Sequence, residues 1–206
     1  RQHDAELVNN NGPVDFVCSS GVLKSIMTAN YDRNSWVLDA FKFRNRIFLC
    51  MNSSVNPQRG EEQPDASDDN KFSHCGFKFE SYVQASEING SPPGSTKDVI
   101  EAEEFIIVNK AQIGDVNVTY SCEIDGVESN EEITDFKKLI NKNLVEVKLK
   151  SNAGYNKMLV NNFNGKRSLL PWWCPAHLAG ITKFVVGLRG DAGNEEDFVF
   201  AILKED

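Results

Sequence analysis

Residues 119–150 constrain this chain more than any other stretch, because two strand-like segments there place acidic side chains on one face. Glu123 and Asp125 are two residues apart in the first segment, so both side chains point to the same face of a strand. In the second segment, residues 144–150, apolar and charged residues alternate as in a half-buried strand. Pairing of these two strands would bring together Glu123, Asp125, Glu146 and Lys148.

Carboxylates gathered in this way repel one another unless a cation lies among them. Oxygen ligands of this kind suit Mg²⁺ or Mn²⁺. A lysine beside such a site, here Lys148, can hold a phosphate or steady a hydroxide nucleophile, so the pattern predicts a metal-dependent nuclease. The alternative is a solvated face on which Glu146 and Lys148 form an ordinary surface ion pair in an unrelated domain.

Length and composition indicate one folded domain with a substantial core. The chain has 206 residues, 40% of them hydrophobic, and no internal repeat or clear linker divides it. Strands interleaved with a few helices favour an α/β (α+β) fold built on a mixed sheet. We expect residues 1–206 to form one domain, with 1–13 as a flexible lead-in. No apolar run approaches the ~20 residues needed to span a bilayer, so no membrane partner is expected.

The cysteines indicate where the protein resides. Five are scattered through the chain without a CxxC pair, and a zinc site is not expected. An odd count of unpaired cysteines favours buried thiols in a reducing compartment, such as the nucleus or cytoplasm. They are Cys18, Cys50, Cys75, Cys122 and Cys174.

Charge is distributed unevenly. The net charge of −8 opposes nucleic-acid binding by itself. Residues 137–167, however, contain eight Lys or Arg and one acid, Glu146. Lys148 and Lys150 belong to this stretch, which is predicted either to attract a phosphate backbone or to be a solvated helix and loop.

Periodicity and turn residues predict the order of the secondary-structure elements. A helix is expected after Gly21, a hairpin over 36–51 with its turn at 44–46, and a helix over 74–86. Strands are expected over 103–111 (buried), 116–125 and 144–150, with short helices over 135–141 and 154–163. Near the end, a proline-interrupted helix over 169–180 precedes a hairpin of 182–189 with 197–203.

In this order, the segments resemble the decapping exoribonuclease family over residues 15–203. The matching segments are DFVCSSGVLKSIMT (15–28), HCGFKFESY (74–82), EEFIIVNKAQIGDVNVTYSCEIDGVE (103–128), LVEVKLKS (144–151) and LLPWWCPAHLAGITKFVVGLRGDAG (169–193). The resemblance implies a large mixed sheet, a smaller sheet and flanking helices, with a core similar to PD-(D/E)XK nucleases. It also implies that this chain is truncated at its N-terminus.

The resemblance implies roles for particular side chains. Glu80 joins Glu123, Asp125 and Glu146 as ligands of one or two Mg²⁺ or Mn²⁺ ions. Lys148 would contact the scissile phosphate or position the attacking water. The implied substrates are RNA 5′-ends that are incompletely capped, NAD-capped or 5′-phosphorylated.

Two positions depart from the family pattern. Ser20 stands where the family has an arginine that meets the RNA 5′-phosphate, and Pro175 stands where it has a glutamine near the reacting group. A serine hydroxyl cannot replace the charge of a guanidinium. An alternative function is therefore a catalytically impaired RNA-end-binding or scaffold protein. It would act through protein partners, among which the resemblance suggests a nuclear 5′-to-3′ exoribonuclease.

Overall fold

The computed structural model describes residues 14–32, 35–52, 66–85, 104–134, 139, 143–151, 163–189 and 199–204. These residues form three α-helices and nine β-strands. The helices are α1 (Ser20–Thr28), α2 (Ala66–Val83) and α3 (Phe163–Ala179). The strands are β1 (Phe16–Ser19), β2 (Leu38–Phe43), β3 (Arg46–Met51), β4 (Ile106–Ile113), β5 (Val116–Glu123), β6 (Gly126–Glu128), β7 (Asn143–Ser151), β8 (Lys183–Arg189) and β9 (Val199–Lys204).

The strands form two mixed sheets. The first has five strands in the order β2-β3-β1-β5-β4, and its central strand β1 is parallel to both β3 and β5. The second has four strands in the order β6-β7-β8-β9, of which only β7 and β8 pair in parallel. The predicted mixed-sheet core with flanking helices is therefore confirmed.

Two-residue turns join the antiparallel pairs of the five-stranded sheet. Arg44 and Asn45 both have positive φ, which matches the strand twist at the β2–β3 turn. Gly114 also has positive φ and begins the turn between β4 and β5. The first turn lies within the predicted 44–46, and the second lies between the strands predicted over 103–111 and 116–125.

Helix α3 carries the packing between the two sheets. Its Ala176 and Ala179 belong to the main core, with Val22 of α1 and Cys122 of β5. Nearer the N-terminus of the same helix, Leu169 and Trp172 pack against a second cluster on β8, whose buried members are Val186 and Leu188. The helix is continuous through Pro171 and Pro175, so the predicted interruption is wrong. We attribute this to packing on both sheets, which offsets the cost of the backbone hydrogen bonds that the two prolines cannot donate.

The end of α3 is fixed by glycine. Gly180 has a φ of 75°, and its N–H donates to the carbonyl of His177. The next N–H, of Ile181, reaches back to the carbonyl of Ala176 at 2.8 Å. This pair of hydrogen bonds is a Schellman motif, and it directs buried Ile181 into the core before β8 begins.

The predicted pairing of residues 116–125 with 144–150 is wrong. Strand β5 lies between β1 and β4 in the five-stranded sheet, whereas β7 lies between β6 and β8 in the other. Alternation in a strand specifies which residues share a face, but it does not specify the neighbouring strand.

Three local predictions also need correction. The strand predicted to be buried over 103–111 is β4, an edge strand whose side chains are exposed or half-buried. The helix predicted over 74–86 begins at Ala66 and ends at Val83. Among the cysteines predicted to be buried, Cys50 and Cys75 are exposed, and the remaining ones are buried free thiols.

Other predictions lie outside the described residues. These are the lead-in 1–13, the helix over 154–163 apart from Phe163, and the helix over 135–141 apart from Leu139. The closing hairpin is confirmed in its paired strands, β8 and β9. No helix among the described residues is long and apolar enough to cross a membrane.

A matched pair of isoleucines tests the position of the core. Ile181 is 2% exposed and Ile113 is 57% exposed. We expect Ile181→Ala to lower the free energy of unfolding by about 2–5 kcal/mol, because it leaves a cavity. Ile113→Ala is expected to change it by about 0.5 kcal/mol or less. Urea unfolding followed by circular dichroism measures both, and equal losses would contradict this core.

Candidate metal and catalytic site

The site forms where the chain passes from one sheet to the other. Glu123 is the last residue of β5, and Asp125 immediately precedes β6. The Asp125 carboxylate accepts a hydrogen bond from the backbone N–H of Val147 on β7, with an N–O distance of 2.6 Å. This bond attaches the link between the sheets to the strand that carries Glu146 and Lys148.

Lys148 lies between two of the acids. Its ammonium nitrogen is 2.6 Å from Glu146 Oε1 and 3.6 Å from Asp125 Oδ2. The side chains of Asp125 and Glu146 are 9% and 13% exposed, against 32% for Lys148. The positive charge of the ammonium partly offsets the repulsion between these two acids, and the lysine side chain remains partly exposed.

Glu80 reaches the same site from α2. The pKa of Glu80 is raised to about 7, first by burial and then by the negative charges of Asp125, Glu123 and Glu146, while Lys148 opposes the rise. A carboxyl feels neighbouring charges in this way only when they are close. The predicted residues Glu80, Glu123, Asp125, Glu146 and Lys148 are therefore brought together, although their strands do not pair as expected.

The pKa values of Glu146, Glu123 and Lys148 are also shifted by burial and by neighbouring charges. Burial raises the pKa of Glu146, where nearby Lys148 acts in the opposite direction. Burial also raises the pKa of Glu123, with Glu104 and Asp125 adding to the effect. Burial alone would lower the pKa of Lys148, but the adjacent carboxylates outweigh it and the pKa is raised. Lys148 is therefore an ammonium at neutral pH.

The carboxylate oxygens of this site are the type of ligand that a hard divalent cation prefers. Four carboxylates with a single ammonium leave an excess of negative charge that Mg²⁺ or Mn²⁺ would offset. Within the described ranges, no three acidic, histidine or cysteine side chains are close enough together to hold one ion without moving. Lys148 Nζ lies between Asp125 and Glu146, so metal ligands there would have to change rotamer.

The predicted RNA-binding residues occupy different positions around the site. Ser20 begins α1 and hydrogen-bonds to the thiol of Cys122, the residue before Glu123. The ammonium of Lys150 lies 5.4 Å from the centre of the Trp172 ring, a cation–π distance. Pro175 is half-buried within α3. Their roles in RNA binding stay predictions.

One acid near the site was not identified from the sequence. Glu104 lies just before β4 and acts on the pKa of Glu123. The β4–β5 register places Ile106 opposite Glu123, so the residues entering β4 pass beside the end of β5. The sequence did hold a signal for Glu104. Pairing residues outward from the turn at Gly114 places Ile106 opposite Glu123, and Glu104 therefore near the end of β5.

Comparison with known proteins gives a consistent result. The family model described as "RAI1 like PD-(D/E)XK nuclease" matches residues 2–198. The decapping and exoribonuclease protein Rai1 of Drosophila melanogaster is 31% identical over 196 residues, which are 94% of this chain and 51% of that protein. The decapping and exoribonuclease protein of Xenopus laevis is 28% identical, over 87% of this chain and 43% of that protein. The chain thus spans about half the length of the curated relatives it matches.

Solved structures agree on the fold. Scheffersomyces stipitis Rai1 superposes with a TM-score of 0.70 at 21% identity, covering 97% of this chain and 57% of that one. Candida albicans Rai1, solved in complex with pU5 and Mn²⁺, gives a TM-score of 0.65 at 20% identity, covering 94% and 51%.

The raised pKa of Glu80 predicts how stability depends on pH. A carboxyl with a higher pKa in the folded protein binds more protons when folded, so stability falls as pH rises from 4.5 to about 7. Glu123 and Glu146 act in the same direction, and the raised pKa of Lys148 acts at higher pH. Glu80→Gln should therefore flatten the fall, as measured by chemical unfolding at several pH values without divalent metal.

The control for this experiment is Glu132→Gln, which changes an exposed acid in the segment after β6. It should keep the slope of the wild type. An unchanged slope in Glu80→Gln would show that Glu80 is not crowded by the other acids.

Proposed function

Because this chain belongs to the RAI1-like PD-(D/E)XK nuclease family, we propose that it hydrolyses phosphodiester bonds at RNA 5′-ends with Mg²⁺ or Mn²⁺ as cofactor. The observation that carries the proposal is the convergence of Glu80, Glu123, Asp125, Glu146 and Lys148 from both sheets and α2. Such a charge arrangement is costly to a fold without a cation or substrate to compensate it.

The proposed substrates are RNA 5′-ends that are incompletely capped, NAD-capped or 5′-phosphorylated. Two related structures support this class. Candida albicans Rai1 was solved with pU5 and Mn²⁺, and Scheffersomyces stipitis Rai1 with 3′-NADP⁺ and a calcium ion. The relatives that give the family its name act in decapping, but this chain covers only part of them, so the substrate remains our proposal.

Each side chain has a proposed task. Glu80, Glu123, Asp125 and Glu146 would hold one or two divalent cations, which activate water and offset charge on the leaving oxygen. The hydrogen bond from the Val147 N–H holds the Asp125 carboxylate in a fixed orientation. Lys148 keeps its proton, so it binds the scissile phosphate as a cation and does not serve as a general base at neutral pH.

A second candidate is a non-catalytic protein that binds RNA ends or acts as a scaffold. Ser20 and Pro175 favour it, because the family arginine and glutamine are absent at these positions. In this role the chain would act through protein partners, including a nuclear 5′-to-3′ exoribonuclease. Under either function we propose a reducing location, the nucleus or cytoplasm, and the five free cysteines are compatible with it.

Cleavage by the purified chain separates the two functions. We expect Mn²⁺-dependent release of products from 5′-monophosphorylated or NAD-capped RNA, measured with 5′-labelled oligonucleotides. Asp125→Asn and Glu146→Gln should each slow it by on the order of 10²–10³-fold, because each removes charge stabilisation from the reacting site. Glu132→Gln, which changes an exposed acid outside the site, should retain the wild-type rate.

Three results would count against the enzyme. One is cleavage that persists in EDTA, and another is cleavage that survives in both site variants. The third is the absence of cleavage together with tight binding of RNA ends, which would identify the scaffold function.

Restoring the family arginine tests the role of the position at the start of α1. Ser20→Arg should tighten binding of 5′-monophosphorylated RNA by roughly 10- to 100-fold, the equivalent of about 1.5–3 kcal/mol for a charged hydrogen bond. Fluorescence anisotropy with 5′-phosphate and 5′-hydroxyl oligonucleotides measures it. Ser35→Arg, at an exposed position before β2, adds the same charge elsewhere. An equal gain with 5′-hydroxyl RNA would contradict specific phosphate recognition.

A further inference from the structure

We propose that Gly187 is a positioning residue for Glu80. Its missing side chain allows α2 to lie close enough to β8 for Glu80 to reach the acids of the candidate site. The inference deepens the proposed function and rests on it, since Glu80 is one of the proposed metal ligands. Gly187 itself would touch neither metal nor RNA.

The contact between Gly187 and Phe79 is unusually close. A Cβ built at Gly187 would lie 2.5 Å from Phe79 Cζ, 2.7 Å from Cε2 and 2.8 Å from Cε1. Phe79 is 4% exposed and Gly187 is buried, so the ring is surrounded by packed atoms. Closely packed interiors resist such a change in volume. Any side chain at position 187 would therefore push against the aromatic ring.

The ring transmits this constraint to the site through the helix. Phe79 immediately precedes Glu80, and both belong to α2, which packs against β7. Gly187 lies opposite Leu149, the residue next to Lys148 on β7. The depth at which the Phe79 ring lies on β8 thus sets the distance of Glu80 from Asp125 and Lys148.

The size of the displacement can be estimated. Carbon atoms in contact prefer about 3.5–4.0 Å, so an alanine Cβ requires the ring to move by roughly 1 Å. A misplacement of about 1 Å can cost a site on the order of 10²-fold in rate. The same shift would leave the sheet pairing of β7 and β8 intact, because the backbone hydrogen bonds do not depend on the ring.

A purely structural role predicts something different. Glycine inside a strand weakens it, so its presence usually has a reason such as a close backbone approach. If the only reason were packing density, alanine would lower stability without moving Glu80 relative to the other acids. A measurement of the Glu80 position therefore distinguishes the two roles.

The test compares Gly187→Ala with the same substitution at a glycine of α2, the helix that carries Phe79 and Glu80. At Gly76 an added Cβ would meet nothing within 4 Å, so Gly76→Ala makes the same chemical change without a clash. Mn²⁺ binding is measured by isothermal titration, and the separation of the Glu80 and Asp125 carboxylates by crystal structures. We expect Gly187→Ala to weaken Mn²⁺ binding by roughly 10- to 100-fold and to increase this separation. Gly76→Ala should match the wild type in both.

A second variant separates clash from misfolding. Phe79→Leu shortens the side chain, so the double variant Gly187→Ala/Phe79→Leu should bind Mn²⁺ more tightly than Gly187→Ala alone. Wild-type Mn²⁺ affinity in Gly187→Ala, an unchanged position of Glu80, or a double variant no better than the single one would overturn the inference. If the wild type neither binds Mn²⁺ nor cleaves RNA, the proposed function fails. The positioning role is then decided by the crystal structures alone.

Discussion

The contact of Asp125 with β7 is the interaction on which the rest of the site depends. Its carboxylate accepts the Val147 N–H and lies 3.6 Å from the Lys148 ammonium, while its backbone joins β5 to β6. One residue thereby connects the five-stranded sheet to the four-stranded sheet and places β5 beside the acid and lysine of β7. Removing the Asp125 charge would take away one of the carboxylates that compensate the Lys148 ammonium, and breaking a buried ion pair in this way is strongly destabilising.

The remaining structure holds this junction rigid from both sides. Helix α3 packs on the main core and also on the cluster of Val186 and Leu188, so the two sheets share one helix. Helix α2 approaches β7 from another direction and brings Glu80. Glu80, Glu123 and Glu146 lie on a helix or strand, and Asp125 is held by its hydrogen bond to β7. This matters because positions within a site must be held to fractions of an ångström. The excess of carboxylates is the feature that suits the site to a divalent cation.

Local patterns in the sequence predicted much of this. The i, i+2 spacing placed Glu123 and Asp125 together, alternation defined β7, and turn residues located both hairpins. The resemblance supplied Glu80, which no local pattern identified as a site residue. The strands adjacent to β7 could not be predicted, because alternation carries no information about which strand is adjacent. The continuity of α3 through two prolines was missed for a similar reason, since packing on two sheets outweighed a local preference.

The sequence by itself determined which side chains carry charge, which of them share a strand face, and the family to which their order belongs. Only the tertiary structure decided that Glu80, Glu123, Asp125, Glu146 and Lys148 meet at a junction between two sheets. It also decided the depth of α2, through the contact of Phe79 with Gly187. The physical reason is that residue type and spacing act over a few residues, whereas burial and electrostatic crowding depend on groups that are distant in the chain.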